Sequence, residues 1–141
     1  MAAPFRMTRR IEFADTDMAG LVHFARFFTF MEVAEHAFLR SLGLSVVMEW
    51  EGEHVTFPRV HASCDFIRPV RFEDELDVEL AVETVGRKAV HYAIEMRLGD
   101  EVVARGKLTS VYCVIREGGR LEGREVPVAL RLRLQPDRPI V

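Results

Sequence analysis

The sequence predicts an α+β fold in which one long helix near the N-terminus packs on one face of an antiparallel sheet. Two observations favour this fold. The apolar side chains of residues 24–42 recur at steps of three and four, which is typical of an amphipathic helix. The later part of the chain alternates between apolar and charged residues, and turn signals separate the alternating runs. With 141 residues and no internal repeat or linker, we expect a single domain over residues 1–141.

The N-terminal third is predicted to contain a strand, an acidic loop and the long helix. Residues 6–14 alternate as a half-buried strand does, and the acidic loop 15–17 then leads to Gly20. The helix is predicted over residues 24–42, with Gly43 as a C-cap that adopts the left-handed conformation without steric cost. Its buried face is expected to consist of Phe27, Phe30, Met31, Ala34, Phe38 and Leu42, with Glu32, Glu35, His36 and Arg40 mostly outside that face.

The rest of the chain is predicted to be mainly strands. Residues 44–54 show no clear period, so an irregular connection is expected there. Strands are predicted over residues 55–66, 76–83, 89–98 and 101–115. Turns are predicted at residues 68–74, at Gly86, at Gly99-Asp100 and at Gly118-Gly119. A short terminal helix is predicted over residues 126–134, with Pro127 in its first turn.

Charge, cysteine content and hydropathy limit the partners that the protein can have and the cellular compartment in which we expect it. The net charge of −3 argues against a nucleic-acid partner, because phosphate contacts require a basic face. Cys64 and Cys113 lie in apolar strand-like runs, where they are expected to be buried thiols in a reducing compartment. The sequence begins without the apolar core of a secretory signal, and no apolar run approaches the length of a membrane span. We therefore expect a cytoplasmic protein with no membrane partner.

An acid placed directly before a helix has two uses. It can cap the free backbone N–H groups of the first turn, which is the commoner role of Asp at such a position. It can also attack or deprotonate a substrate whose developing oxyanion those same N–H groups bind. A calcium loop that starts at Asp15 is excluded, because Ala19 and Arg26 stand where an EF-hand needs oxygen ligands. From the residues alone, the capping role and the catalytic role of Asp15 and Asp17 both stay open.

Residues 12–24, EFADTDMAGLVHF, resemble the opening motif of the 4-hydroxybenzoyl-CoA thioesterase branch of the hotdog-fold acyl-CoA thioesterases. That motif reads D-x-D-x-x-G-[IV]-V, then two aromatic or His positions and a long helix, and Leu21 is a mild departure from it. The resemblance implies a curved antiparallel sheet wrapped around a central helix. It also implies that Asp17 is the nucleophile or general base and that the backbone N–H groups of Phe24 and Ala25 bind the oxyanion. The resemblance supports a catalytic role less for Asp15, which we assign to the turn.

Other candidate residues follow from the same resemblance. Relatives often carry Tyr-His or Trp-Tyr where His23-Phe24 stand here, so His23 is shifted by one residue, which is about 100° on a helix. His23 is a catalytic candidate that orients water or substrate, although packing at the entrance is the alternative. Arg87 and Lys88 match a pair that contacts coenzyme A phosphates in some relatives. Candidates for the acyl-binding region are Phe27, Glu32 and His61, each with an alternative role in the core, a surface pair or a strand edge.

These expectations combine into hydrolysis of an acyl-CoA thioester, with an aryl or a short- to medium-chain acyl group, to a free acid and coenzyme A. No metal and no redox cofactor is implied, since coenzyme A belongs to the substrate. The resemblance implies a homodimer or homotetramer with the active site at a subunit boundary. One alternative is an enoyl-CoA hydratase or dehydratase, whose D-x-N-P-x-H motif spaces its acid and His differently from Asp17 and His23. The other is a non-catalytic acyl-CoA-binding protein.

Overall fold

The computed structural model describes residues 4–136, so the ends of the predicted domain, residues 1–3 and 137–141, lie outside the described residues. The described part contains two α-helices, α1 (Phe24–Ser41) and α2 (Val128–Leu134). Its strands are β1 (Phe5–Arg10), β2 (Val47–Trp50), β3 (Glu53–Thr56), β4 (Arg59–Phe66), β5 (Glu75–Val85), β6 (Ala89–Leu98), β7 (Glu101–Val111), β8 (Cys113–Ile115) and β9 (Leu121–Gly123). Short 3₁₀ turns cover Phe13–Asp15 and Glu117–Gly119.

The larger of two antiparallel sheets has five strands in the order β1-β5-β6-β7-β4. Its central strands are the longest, and β6 matches the predicted range of residues 89–98. The hairpin at Gly99-Asp100 joins β6 to β7 as predicted, and Gly99 adopts a positive φ of 59°. The alternation in β5 places Leu76, Val78 and Leu80 in the core. This sheet and helix α1 confirm the predicted α+β fold class.

Helix α1 packs its apolar face on the five-stranded sheet. Phe27, Phe30, Met31, Ala34 and Leu39 are buried on that face. Helix α1 approaches strand β7 closely because residue 106 of that strand is a glycine, a feature that was not predicted from the sequence. A Cβ atom at Gly106 would lie 2.1 Å from the Sδ atom of Met31, well inside van der Waals contact. The glycine therefore lets the middle of the helix rest directly on the strand.

Several predicted boundaries are wrong, and most errors lie where the chain leaves the large sheet. The first strand ends at Arg10 instead of residue 14, because the chain turns into the 3₁₀ segment. The connection predicted over residues 44–54 contains β2 and the start of β3. The strand predicted over residues 55–66 is divided at Phe57-Pro58, and the strand predicted over residues 101–115 is divided at Tyr112.

The two divided strands supply β3 and β8 to a second sheet of four short strands, in the order β2-β3-β8-β9, which was not predicted from the sequence. At each break the chain passes from one sheet to the other, so an apolar run stays continuous in sequence while its hydrogen-bond partners change. The terminal helix begins at Val128, two residues later than predicted, with Pro127 as its N-cap. None of the helices in the described part of the chain is long and apolar enough to cross a membrane.

Candidate functional site

The acidic loop is a tight hairpin that lies against the start of helix α1. Thr16 pairs with Val22 across the loop, and the N–H group of Asp17 donates to the Leu21 carbonyl at 2.7 Å. Gly20 adopts a φ of 77°, which favours glycine at this corner. The N–H group of His23 donates to the Asp15 carbonyl at 2.8 Å. These contacts hold the loop directly beside the first turn of the helix.

The carboxylate of Asp17 is exposed, and only one of its two oxygen atoms accepts hydrogen bonds from residues 4–136. Its Oδ1 atom accepts hydrogen bonds from the N–H groups of Ala19 at 2.9 Å and Leu21 at 3.2 Å. Within residues 4–136, its Oδ2 atom has no hydrogen-bond partner. One oxygen therefore fixes the side chain to the turn, and the other is available to water or a substrate.

The carboxylate of Asp15 lies in a very different environment, with only 1% of the residue exposed. Its Oδ2 atom accepts from the N–H group of Glu12 at 2.8 Å, and its Oδ1 atom lies 3.3 Å from Nε of Arg26 and 3.5 Å from Nη2 of Arg9. Arg9 reaches it from β1 and Arg26 from α1. Asp15 therefore ties the strand, the loop and the helix together, which agrees with its predicted role in the turn.

The first turn of helix α1 provides backbone donors at the surface. His23 is the N-cap, and its Nδ1 atom accepts from the N–H group of Ala25 at 3.3 Å. The N–H group of Phe24 has no acceptor among the residues described. The positive end of the helix dipole adds to the attraction of these donors for a negatively charged oxygen. Of the two predicted oxyanion donors, the N–H group of Phe24 therefore has no acceptor among the residues described, and the N–H group of Ala25 makes one long hydrogen bond to His23.

Aromatic rings surround this helix start. The Phe24 side chain is 61% exposed, and its ring meets the ring of Phe66 edge-on at 6.3 Å. Phe66 also contacts Phe27 at 5.3 Å between ring centroids. Phe27 itself is buried, so it supports this aromatic surface from the core side of the helix. An apolar, partly aromatic ligand group would find a matching surface next to the open N–H of Phe24.

A buried polar network lies farther along the same helix, and the sequence analysis missed most of it. Glu35 was expected outside the buried face, yet it is fully buried at the edge of the apolar stripe. Its carboxylate accepts hydrogen bonds from Arg59 of β4 and, at 3.0 Å, from the hydroxyl of Ser110 of β7. Burial raises the pKa of Glu35, while Arg59 and Ser110 oppose that rise. Glu35 lies four residues from each of the buried Met31 and Leu39, so the helical period continues through it, and only its charge predicted a surface position.

The same guanidinium of Arg59 also reaches the exposed face of α1. Its Nη1 atom lies 3.3 Å from Oε2 of Glu32, and its Nη2 atom lies 3.1 Å from Nε2 of His36. Because a guanidinium can only donate, the Nε2 atom of His36 is the acceptor in that contact. The predicted substrate residue Glu32 is therefore part of this network and not a simple surface pair with His36.

The remaining predicted residues lie apart from the acidic loop. His61 is exposed on β4, opposite Thr109. Arg87 and Lys88 are exposed in the turn between β5 and β6, and Nε of Arg87 lies 3.0 Å from Oε1 of Glu125. The carbonyls of these two residues accept from the N–H groups of Val126 and Tyr112. The turn is thereby held in place while both cationic side chains face outward.

Two clefts formed by residues 4–136 lie away from the acidic loop. One of about 490 Å³ is lined by Arg6, Met7, Thr8, Asp77, Glu79, Arg97, Gly99 and Asp100. The other, of about 240 Å³, is lined by Trp50, Glu51, Glu53, Tyr112, Arg124, Glu125 and Pro127. Asp17 and Phe24, at the start of α1, are exposed in the single chain. Across residues 4–136, no three His, Cys, Asp or Glu side chains are grouped as metal ligands.

Comparison with known proteins gives a consistent result. A family model described as the thioesterase superfamily matches residues 19–105. A 1,4-dihydroxy-2-naphthoyl-CoA hydrolase from Nostoc punctiforme is 31% identical over 110 residues, which cover 78% of this chain and 74% of the relative. One from Synechococcus elongatus is 33% identical over 97 residues, which cover 68% of this chain and 70% of the relative.

Solved structures agree with these relatives. A 1,4-dihydroxy-2-naphthoyl-CoA thioesterase from Synechocystis superposes with a TM-score of 0.80 and 26% identity, covering 96% of this chain and 98% of that chain. A gentisyl-coenzyme A thioesterase superposes with a TM-score of 0.78 and 25% identity, covering 92% of this chain and 98% of that chain. The similarity thus extends over nearly all of the described residues.

Proposed function

The chain belongs to the thioesterase superfamily and is a hotdog-fold acyl-CoA thioesterase, and on that premise we propose that it hydrolyses aryl-CoA thioesters with Asp17 as its catalytic carboxylate. The strongest support is the Oδ2 atom of Asp17, which has no hydrogen-bond partner among residues 4–136. Its hairpin binds the N–H of His23 through the Asp15 carbonyl, next to the N–H of Phe24, which has no acceptor among the same residues. A carboxylate and an oxyanion donor are the two groups that attack on a thioester carbonyl requires.

In the proposed reaction, Asp17 either attacks the thioester carbonyl or removes a proton from the water that attacks it. The carbonyl oxygen becomes an oxyanion and binds the N–H group of Phe24. The N–H group of Ala25 joins it by exchanging its 3.3 Å contact with His23 for the more strongly charged acceptor. Collapse of the intermediate breaks the C–S bond, and the thiolate of coenzyme A leaves and takes up a proton. In the nucleophilic route, water then cleaves the acyl–Asp17 anhydride to the same free acid.

An aryl acyl group fits the surroundings of this helix start better than a flexible alkyl chain. Phe24 and Phe66 present exposed rings there, and edge-on contact between rings is favourable beyond the area that it buries. Two relatives act, by their names, on 1,4-dihydroxy-2-naphthoyl-CoA, which carries a bicyclic aryl group. We therefore propose a hydroxylated aryl-CoA, with 1,4-dihydroxy-2-naphthoyl-CoA as the first substrate to test.

The phosphates of coenzyme A are proposed to bind at the turn of Arg87 and Lys88. Both side chains are exposed cations on a turn that backbone hydrogen bonds hold in place. Arg87 is paired with Glu125, but an exposed pair of this kind contributes little to stability, so a phosphate can replace the carboxylate. A guanidinium binds phosphate with two parallel hydrogen bonds, which suits the pyrophosphate group.

A second copy of the chain is proposed to complete the site. Strand β4 lies at the edge of the large sheet, and most of its residues are exposed, including Val60 and Phe66. An exposed apolar edge strand favours pairing with another strand. Pairing of β4 with β4 of a partner would cover the open surface near Asp17 and form a walled pocket. The homodimer is thus part of the proposed function.

The test is release of coenzyme A from a panel of aryl and alkyl thioesters, measured with the wild type and with Asp17→Asn. We expect release with an aryl preference in the wild type, and a loss of at least about 10³-fold in the variant, because a nucleophile or base is removed. An Asn side chain keeps the Oδ1 acceptor, so the variant should fold. Light scattering on the same samples should give twice the molar mass of the chain or a higher multiple. Equal rates for both proteins, or a monomer with full activity, would contradict the proposal.

A further inference from the structure

The exposed face of helix α1 leads from the oxyanion donors to the charged network around Arg59. At 100° per residue, Ala25, Thr29, Glu32 and His36 share one face. Ala25 and Thr29 are small, so they leave a shallow floor along the helix. Glu32 lies seven residues after Ala25, about 10 Å along the axis, and its side chain leans back toward the helix start. An acyl group whose carbonyl lies at Phe24 and Ala25 can extend along this face toward Glu32.

Strand β4 contacts helix α1 through residues at both of its ends. Phe66, at the end of β4, contacts Phe24 and Phe27 near the start of the helix. Arg59, at the beginning of β4, contacts Glu32 and Glu35 farther along the helix. The strand therefore runs antiparallel to the helix and closes one side of the floor. One end of the resulting strip is aromatic, and the other end is charged.

The charged end has unused hydrogen-bonding capacity that faces outward. About half of the Glu32 side chain and a quarter of the Arg59 side chain are exposed. Among residues 4–136, Nη1 of Arg59 and Oε2 of Glu32 form a charge contact at 3.3 Å without the geometry of a hydrogen bond. An approaching hydroxyl group can therefore donate to the Glu32 carboxylate and accept from Arg59 at once. An alkyl group at the same place would leave both charged groups without that partner.

The inner half of the network fixes the position of the guanidinium. Glu35 is fully buried and binds Nη2 of Arg59, and the hydroxyl of Ser110 holds the other oxygen of Glu35 at 3.0 Å. The Nε2 atom of His36 accepts from Nη2 at 3.1 Å. A guanidinium held on one side by a buried carboxylate is pre-organised, so it loses little further freedom when a ligand binds to its outer side.

We propose that Arg59 is a specificity-determining residue, which together with Glu32 recognises a hydroxyl group at the far end of an aryl acyl group. Glu35 and Ser110 act as positioning residues that hold the guanidinium of Arg59. This inference rests on the proposed thioesterase function and adds to it the feature that selects one aryl-CoA over another. It requires no change in the chemistry at Asp17.

The experiment compares two thioesters that differ by one hydroxyl group, 1,4-dihydroxy-2-naphthoyl-CoA and 1-hydroxy-2-naphthoyl-CoA. The wild type should prefer the dihydroxy substrate by at least about tenfold in kcat/KM, because a site built for a hydroxyl group rejects the analogue that lacks it. In Glu32→Gln and in Arg59→Met that ratio should fall toward one.

Arg59→Met leaves Glu35 buried without its cation, and that variant can fail to fold. The double variant Glu35→Met/Arg59→Met replaces the buried pair with apolar groups of similar volume, which proteins generally tolerate. It should lose the preference for the dihydroxy substrate. Arg105→Met is the matched control, since Arg105 forms an exposed pair with Glu95 away from this strip, and it should keep the wild-type ratio.

The outcomes separate this inference from the proposed function. A loss of the preference in the Arg59 and Glu32 variants, but not in Arg105→Met, supports the inference. Turnover of both thioesters with a wild-type ratio near one overturns it and leaves the thioesterase function standing. Equal losses on both substrates in the variants also overturn it, because a merely structural role lowers both rates together. Release from neither thioester overturns the inference together with the proposed aryl-CoA specificity.

Discussion

Asp15 and Asp17 are two residues apart in sequence, yet their carboxylates have opposite environments. Asp15 is buried, faces two arginines and accepts a backbone hydrogen bond. Asp17 is exposed, has no ion pair among the residues described, and keeps one oxygen free. The difference arises because Asp15 ends the 3₁₀ turn Phe13–Asp15, where Arg9 of β1 and Arg26 of α1 reach it, whereas Asp17 lies in the exposed turn of the hairpin.

This contrast indicates different roles for the two acids: Asp15 stabilises the loop, and Asp17 is available for chemistry. The buried carboxylate fixes β1, the loop and α1 relative to one another through Arg9 and Arg26. The exposed carboxylate is then held at a defined place beside the helix start with no cost of burying its charge. A reactive acid needs such support, since its position must be set by neighbours that do not use its reactive oxygen.

The largest expected effect on stability separates the two acids directly. In Asp15→Asn, one group of the amide must face either the guanidinium groups or the N–H of Glu12 with the wrong polarity. We expect a loss of about 2–3 kcal/mol in the free energy of unfolding, because charge-assisted hydrogen bonds in a buried place are lost. In Asp17→Asn the amide oxygen still accepts from Ala19 and Leu21, so a change within about 0.5 kcal/mol is expected.

Denaturant unfolding of both variants at one protein concentration checks this difference, because association would shift the apparent stability. Equal destabilisation by the two substitutions would mean that the exposed acid also holds the loop together. A stable Asp15→Asn protein would mean that Arg9 and Arg26 find other partners. Either result would remove the contrast between a structural acid and a chemical one.

The fold could be predicted from the sequence where a single periodic pattern belongs to a single sheet. Helix α1 and strand β6 were predicted nearly to the residue, since each keeps one period and one set of partners from end to end. The chain around Phe57 and Tyr112 could not be predicted in the same way. There the apolar pattern continues while the strands change sheets, and local sequence carries no signal of which strand lies alongside.

The site was predictable to the extent that its residues are neighbours in sequence. The loop, the helix cap and the first helical N–H groups all lie within residues 15–25, so a motif could identify them. The Glu35 network could not be found in that way, because its partners Arg59 and Ser110 come from two later strands. An acid at the margin of an apolar stripe is ordinarily a surface residue, and only tertiary contacts make it a buried one.

Glu35 is a second buried acid that sharpens the comparison, since it contacts one arginine where Asp15 contacts two. Burial is the main influence and raises its pKa above the ordinary value of 4.5, with Arg59 and Ser110 in opposition. A carboxyl group whose folded-state pKa is raised adds stability below its unfolded-state pKa. That contribution disappears as the pH rises through the folded-state pKa.

We therefore expect the wild type to lose stability relative to Glu35→Gln as the pH rises from below 4.5, until Glu35 is ionised. Parallel urea titrations of the two proteins over that pH range measure the difference. The Gln side chain keeps an acceptor for Arg59 or Ser110, so its packing is nearly unchanged. A relative gain of wild-type stability with rising pH would mean that the Arg59 contact outweighs burial, and Glu35 would then resemble Asp15.

The smallest effect is expected at His23, which joins the acidic loop to the helix. Its Nδ1 atom caps the N–H of Ala25, so His23→Ala should cost about 0.5–1 kcal/mol of stability, while His23→Asn keeps a good N-cap and should cost almost nothing. If His23 serves as a cap, His23→Asn should retain kcat to within about tenfold. A general acid or base would instead contribute about 10²–10⁴-fold.

Thermal unfolding and the dependence of kcat on pH distinguish these roles of His23. A cap leaves the pH profile of His23→Asn the same as that of the wild type, since the substitution then removes no group that transfers a proton in the reaction. Loss of one limb of the profile, together with a large fall in kcat, would assign the imidazole to proton transfer. The loop would then contain a second chemical group, and the division of roles between Asp15 and Asp17 would extend to a pair of cooperating residues.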